Sequence, residues 1–282
     1  MARLAHARSQ GGLSTSECFG DILKGWRRQR GLSQFQLALE AEVSPRHLSF
    51  LETGRARPSR EMVSRLLEAL DVPLRGRNSL FLAAGFAPPF SEATFSEERM
   101  RPFRRIVDQL LERHDPYPAY AMDGDWNVVA GNRTHQAFLR SLVPEMEAGP
   151  VNILRLLFSP DQLRPHVIRW EDVARAVLRR VLAQVQGPHR SEGLLATLEE
   201  ISSWPGVATL LPPTSLVASD QLIIPLGLRL GPHEVRFVTT LLTFGAALDV
   251  TLSELVVECF FPADEATERF VQGLGSPASA IE

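Results

Sequence analysis

The chain has 282 residues, 44% hydrophobic and 22% charged, with a formal net charge of −3, which excludes wholesale disorder and fibrous architecture and leaves room for two domains. Residues 1–90 hold 13 Lys/Arg against 8 Asp/Glu, a surplus of +5, whereas 91–282 hold 17 against 25, a balance of −8, so the front is the part suited to a polyanion. Cys18 and Cys259 fit no metal or redox spacing, and the one lysine, Lys24, has no Gly-Lys-Ser/Thr context. No Gly-x-Ser-x-Gly or His-Glu-x-x-His pattern occurs either, so the expectation is a reduced, cytoplasmic chain that is not an enzyme and carries no cofactor.

Residues 1–16 read as a flexible tail without the apolar core of a signal peptide, and no run of apolar residues is long enough for a membrane span. From 17 to 86 short helical patterns follow one another. Within Gly31–Ser59, Ser33 is placed to cap a helix over Gln34–Ala41, and Ser44 to cap a second with Pro45 at its first position, where a missing N–H costs nothing. Leu37, Ala38, Val43, Leu48 and Leu51 supply its inner face, and small Ala38 allows a close crossing. Met62, Val63, Leu66, Leu67 and Leu70 make a fourth amphipathic helix, and Leu80–Ala84 fit a fifth.

Two helices separated by a few residues are the requirement of a helix-turn-helix. On these residues and spacings the segment resembles the lambda-repressor-like regulators of the XRE family, departing from them at Glu42, where glycine is common, and at Pro45, where a polar base reader is common. The resemblance implies double-stranded DNA as partner, read by a homodimer on a palindromic operator. The second helix would enter the major groove by its N-terminal end, with Ser44, Pro45, Arg46, His47, Ser49 and Phe50 nearest the bases and Gln34, Arg55 and Arg57 placed for phosphates. It also implies an ion pair between a first-helix arginine and a late recognition-helix glutamate, here Arg27 and Glu52.

Residues 87–98 are rich in Pro, Ser and Thr and read as a linker. Beyond it, a helix fits Pro102–Arg113. Short strands fit Ala119–Met122 and Asn127–Ala130 around Asp123-Gly124-Asp125, with Asn132 capping the helix that carries Phe138, Leu139 and Leu142. Helices are expected at Val151–Phe158, Trp170–Val185 and Glu192–Ile201, then strands at Leu222–Leu230, Val235–Phe244 and Glu254–Phe261, and a short helix from Asp264. The Arg175, Arg179 and Arg180 cluster falls off the apolar stripe of its helix and reads as a solvated or ion-paired face. Five histidines (His114, His135, His166, His189, His233) show no metal-ligand spacing.

The hairpin with Trp126 and Gly131-Asn132-Arg133, the segments Val151–Pro160 and Trp170–Arg180, and Thr243–Thr267 are together similar to the MmyB-like regulators, which join an XRE helix-turn-helix to a PAS-like ligand-binding domain. The expected class is therefore α+β: an all-α five-helix domain at 17–86, then a PAS-like mixed α/β sensor domain at 99–282. The resemblance implies a small lipid-like effector, such as a fatty acid, and no membrane partner. Trp126, Phe138, Leu154, Phe158, Trp204, Phe237 and Phe244 are candidates for an apolar wall, and Asn132, Arg133 and His166 for a polar anchor. The rival reading is that the second domain serves only dimerisation or protein contact.

Overall fold

A computed structural model describes residues 18–144, 149–185, 191–211 and 225–275. The expected tail lies outside these residues, as do the first residues of the strand expected from Leu222. The described chain divides into two compact units, the first ending at Phe90 and the second beginning at Ser91.

The first unit is five helices: α1 (Phe19–Gln29), α2 (Gln34–Glu40), α3 (Pro45–Glu52), α4 (Arg60–Ala69) and α5 (Leu74–Ala83). Their starts are set by side-chain caps. Ser33 accepts from the Gln36 N–H while the Gln36 amide oxygen accepts from the Ser33 N–H, a reciprocal capping box, and Ser44 and Ser59 accept from His47 and Met62 N–H groups. Leu23, Leu37, Leu48, Leu51, Leu66 and Leu80 are fully buried in one core, each contributing about 2 kcal/mol by leaving water. α1 crosses α3 at Gly20, where a Cβ would stand 2.6 Å from the Leu51 carbonyl oxygen, so only glycine permits that approach. α5 begins six residues earlier than its apolar pattern indicated. After Leu74 its first turn holds Arg75, Gly76 and Arg77, which break the apolar pattern, and Gly76 lets it settle against Trp26 and Val72.

The second unit is built on a six-stranded antiparallel sheet of order β2-β1-β6-β5-β4-β3, with β1 (Ala119–Met122), β2 (Val128–Gly131), β3 (Val167–Ile168), β4 (Leu226–Leu230), β5 (His233–Thr243) and β6 (Val256–Pro262). Strand alternation gives the sheet two different faces. Ala119, Ala121, Val257 and Cys259 face α6 (Arg101–His114) and α11 (Val250–Glu254), packing with Val107, Leu111 and Leu252. Tyr120, Met122, Leu228, Phe237 and Phe260 face the opposite way. They meet α7 (Arg133–Leu142), α8 (Ile153–Phe158), α9 (Trp170–Val185), α10 (Glu192–Ser202) and α12 (Glu265–Gly275) in the larger core.

The segment expected as a linker is tied down. Phe90 exchanges two hydrogen bonds with the Asn78 side chain of the first unit, at 2.7 and 3.1 Å. Ser91 Oγ and the Ala93 N–H both donate to Asp249 Oδ2 in the second unit, and Ala93 is buried. Two side chains, Asn78 and Asp249, thus satisfy backbone groups that a free linker would leave to water.

Candidate nucleic-acid interface and ligand cavity

In α3, Leu48, Leu51 and Glu52 turn inward, leaving Arg46, Ser49 and Phe50 on the outer side. The Arg46 guanidinium lies 5.4 Å from the Phe50 ring centroid, one turn along the helix. Ser44 and Pro45 are exposed at the helix start, His47 is half-buried, and Arg55 and Arg57 are exposed beyond the left-handed Gly54. Gln34, half-buried at the start of α2, donates its amide nitrogen to Glu52 Oε2 at 2.8 Å.

That glutamate is the centre of a buried lock. Arg27 Nε and Nη2 donate to Glu52 Oε1 and Oε2 at 2.5 and 2.9 Å, and Arg27 Nη1 donates to the Leu32 carbonyl at 2.9 Å. The expected pair between α1 and the reading helix is thus present, with both partners buried. Burial pushes the Glu52 carboxyl up, but hydrogen bonds from Arg27 and Gln34 outweigh it and hold the group below the usual range; the bond to Glu52 raises Arg27 in turn. The turn between α2 and α3 places Glu42 at φ +54°, a left-handed conformation, which accounts physically for the usual preference for glycine there.

In the second unit a cavity of about 280 Å3 opens between the sheet and α7, α8 and α9. Its walls are mostly apolar. Trp126, Phe138 and Phe237, three of the expected wall residues, line it with Leu142, Leu157, Val173 and Val177. Five other candidates sit elsewhere. Leu154 and Phe158 are fully buried in the core. Asn132 caps α7 and is saturated, accepting from the Ala119 and His135 N–H groups and donating to the Leu111 and Tyr117 carbonyls. Arg133 is exposed in the first turn of α7, and the His166 ring meets the Arg229 carbonyl at 3.2 Å. Of the two further aromatics, Phe244 packs edge-on against Phe103 on the other side of the sheet, and Trp204 is half-buried against the core without reaching the cavity.

The polar groups of the cavity are ones that sequence reasoning passed over. Tyr120 on β1 donates its hydroxyl to Glu258 on β6 at 2.7 Å. Burial, with the Glu258 charge beside it, pushes the Tyr120 hydroxyl well above its ordinary value, so it stays protonated. Arg180 on α9 lies over the Trp126 ring, 4.5 Å from its centroid. Arg175 of the same cluster pairs with Glu171 and Asp172 as a solvated arginine does, but Arg180 is turned to the cavity. His135 on α7 is pushed down to about 4 by burial and is neutral near pH 7. Trp126 itself sits at φ +68°, held there by a turn in which Asp123 Oδ1 accepts from the Asp125 and Asn127 N–H groups, and its indole N–H donates to Gln184 at 2.8 Å. A large residue in that conformation stores about 1–3 kcal/mol of strain, here spent on placing an aromatic ring under a cation. Among the described residues no group of three or more His, Cys, Asp or Glu is arranged to hold a metal ion, and no helix is long and apolar enough to cross a membrane.

Comparison with known families finds two matches along the chain. Residues 103–274 match the model of the MmyB-like transcription regulator ligand binding domain, and residues 23–76 match a helix-turn-helix model. The chain is 40% identical over 58 residues to the transcriptional regulator ClgR of Mycobacterium tuberculosis, covering 21% of this chain and 52% of that protein. It is 35% identical over 57 residues to a Yarrowia lipolytica protein described as a multi-protein-binding factor 1, covering 20% of this chain and 37% of that one. The chain thus spans about half or less of the length of these curated relatives.

Proposed function

The chain belongs to the MmyB-like transcription regulators, as the family match over residues 103–274 requires, and from that premise we propose a homodimeric, operator-binding regulator whose hold on DNA is set by a small effector. The DNA-binding domain spans 17–86 and the effector domain 99–282. The succession of hairpin, helices and late strands supports a PAS-like reading of the latter. The effector is a fatty acid or a similar lipid-like molecule, a single alkyl chain with one polar head, and the protein works in the cytoplasm without catalysing a reaction. The observation that carries this reading is the cavity of about 280 Å3, apolar along its walls and polar at Tyr120, Arg180 and Glu258. Its size is just below the usual range for sites of small ligands.

On DNA, α3 enters the major groove by its N-terminal end. Arg46 binds a guanine edge and Phe50 a thymine methyl, while Ser49, His47 and the exposed start at Ser44 and Pro45 approach neighbouring bases. Arg55, Arg57 and the Gln34 end of α2 face phosphates. One such helix reads only a few base pairs, so two copies on half-sites about 34 Å apart supply specificity. Footprinting of selected operator DNA is the test: a two-fold symmetric footprint with two half-sites supports the dimer, and a single non-palindromic half-site protected by a monomer contradicts it. A second domain that serves dimerisation alone is the competing reading, and the apolar cavity speaks against it.

A further inference from the structure

Resting on the reading of the cavity as the effector site, we propose that it selects an un-ionised head group able both to donate and to accept hydrogen bonds, a primary amide or a hydroxyl, over a carboxylate. Arg180 and Glu258 line the same cavity. Among the described residues no ion pair holds Arg180; it lies over the face of Trp126, and its charge reaches the Tyr120 hydroxyl. Glu258 receives the Tyr120 hydroxyl at one oxygen, Oε2, and has acceptor capacity left over.

These two side chains ask for opposite things. A guanidinium only donates, and a carboxylate only accepts. A ligand amide meets both at once, its carbonyl oxygen accepting from Arg180 while its N–H group donates to Glu258. A hydroxyl does the same with one atom. A ligand carboxylate satisfies Arg180 but faces Glu258 acceptor to acceptor, and it brings a second negative charge into a wall with low dielectric response. The other titratable side chains of the wall do not compensate that charge: His135 is neutral and Tyr120 is protonated. The wall as built therefore sums to zero, one positive and one negative group, and an un-ionised head group keeps it so.

The test uses full-length protein stripped of lipid and three probes of one chain length, decanamide, decanol and decanoate, titrated calorimetrically at pH 7.5. Decanamide and decanol are expected to bind roughly tenfold or more tighter than decanoate, because repulsion from Glu258 offsets the attraction of Arg180 and leaves the cost of taking the ionised head out of water. Glu258→Gln removes the like charge while keeping an acceptor. It should raise decanoate affinity relative to decanamide by roughly tenfold, and an unchanged circular dichroism spectrum shows that the variant is folded. Decanoate binding wild-type protein as tightly as decanamide, or Glu258→Gln leaving the ratio unchanged, overturns the head-group inference while the effector reading stands. Failure of all three probes to bind removes the effector reading itself. The wild-type comparison needs no variant and decides the matter even if Glu258→Gln does not fold.

Discussion

Replacing Glu52 by alanine is the perturbation whose size the geometry specifies best. In the folded protein Arg27 spends three of its N–H groups inside the first unit, two on Glu52 and one on the Leu32 carbonyl. Alanine would leave the guanidinium buried with a single neutral acceptor and would release the Gln34 amide as well. Stranding one member of a buried, hydrogen-bonded pair costs about 3–5 kcal/mol. Amide exchange of α1 and α3 in the full-length protein reads this directly, because both helices open together when the lock fails. The expected acceleration is roughly 150- to 5,000-fold. Replacing both partners with apolar residues, Arg27→Met with Glu52→Leu, should recover most of the loss, since the desolvation of both charges disappears with them. Because the folded Glu52 carboxyl titrates below its unfolded value, its contribution is present at pH above the unfolded value and is lost as pH falls through the folded one. The cost of Glu52→Ala should therefore shrink in acid. A single variant that changes exchange by less than about fivefold near neutral pH would refute the reasoning, because the pair would then contribute no more than a surface ion pair.

Glu42→Gly should stabilise the first unit by about 1 kcal/mol, seen as a higher thermal midpoint, because Glu42 stands at φ +54°; an unchanged or lower midpoint counts against the strain argument. His135 is neutral when folded, with a value near 4 against 6.5 unfolded, so stability of the second unit should be complete above pH 6.5 and decline as pH falls toward 4. The loss amounts to roughly 3 kcal/mol at most, and His135→Phe should flatten it in a urea-denaturation series across that pH range. Ala176→Phe, aimed into the cavity from α9, should abolish effector binding in calorimetry while leaving the circular dichroism spectrum unchanged; retained binding would place the effector elsewhere.

The first unit was legible because its caps and apolar stripe point to the same elements. Ser33, Ser44 and Ser59 each stand where a helix begins, and Leu37, Leu48, Leu51 and Leu66 recur at core spacing. In the second unit, β1 and α9 fall where alternation and the apolar stripe placed them. The two-residue β3 and five-residue α11 are too short to carry a period. The cavity was legible in its aromatics, Trp126, Phe138 and Phe237, but not in its polar groups. Arg180 follows Val173 and Val177 at helical spacing and so belongs to their stripe, yet its charge and its neighbours Arg175 and Arg179 made it look solvated. Glu258 interrupts the apolar run Val256–Pro262 and alternates onto the side of Phe260. Asn132 was chemically suitable as an anchor, but its four hydrogen bonds go to α6, to Tyr117 and Ala119 at the entry to β1, and to α7, which no reading of residue type alone can show.

The central claim is that occupancy of the cavity changes the hold on DNA, and the direct measurement is operator affinity of lipid-stripped protein with and without a saturating bound effector, at fixed salt. A ligand shifts an equilibrium only by its differential affinity for two states. A coupling of about 1–3 kcal/mol predicts a change in operator affinity of roughly 5- to 150-fold, abolished by Ala176→Phe. Equal operator affinity with the cavity empty and with it demonstrably filled would contradict the account and leave the second unit as a dimerisation module.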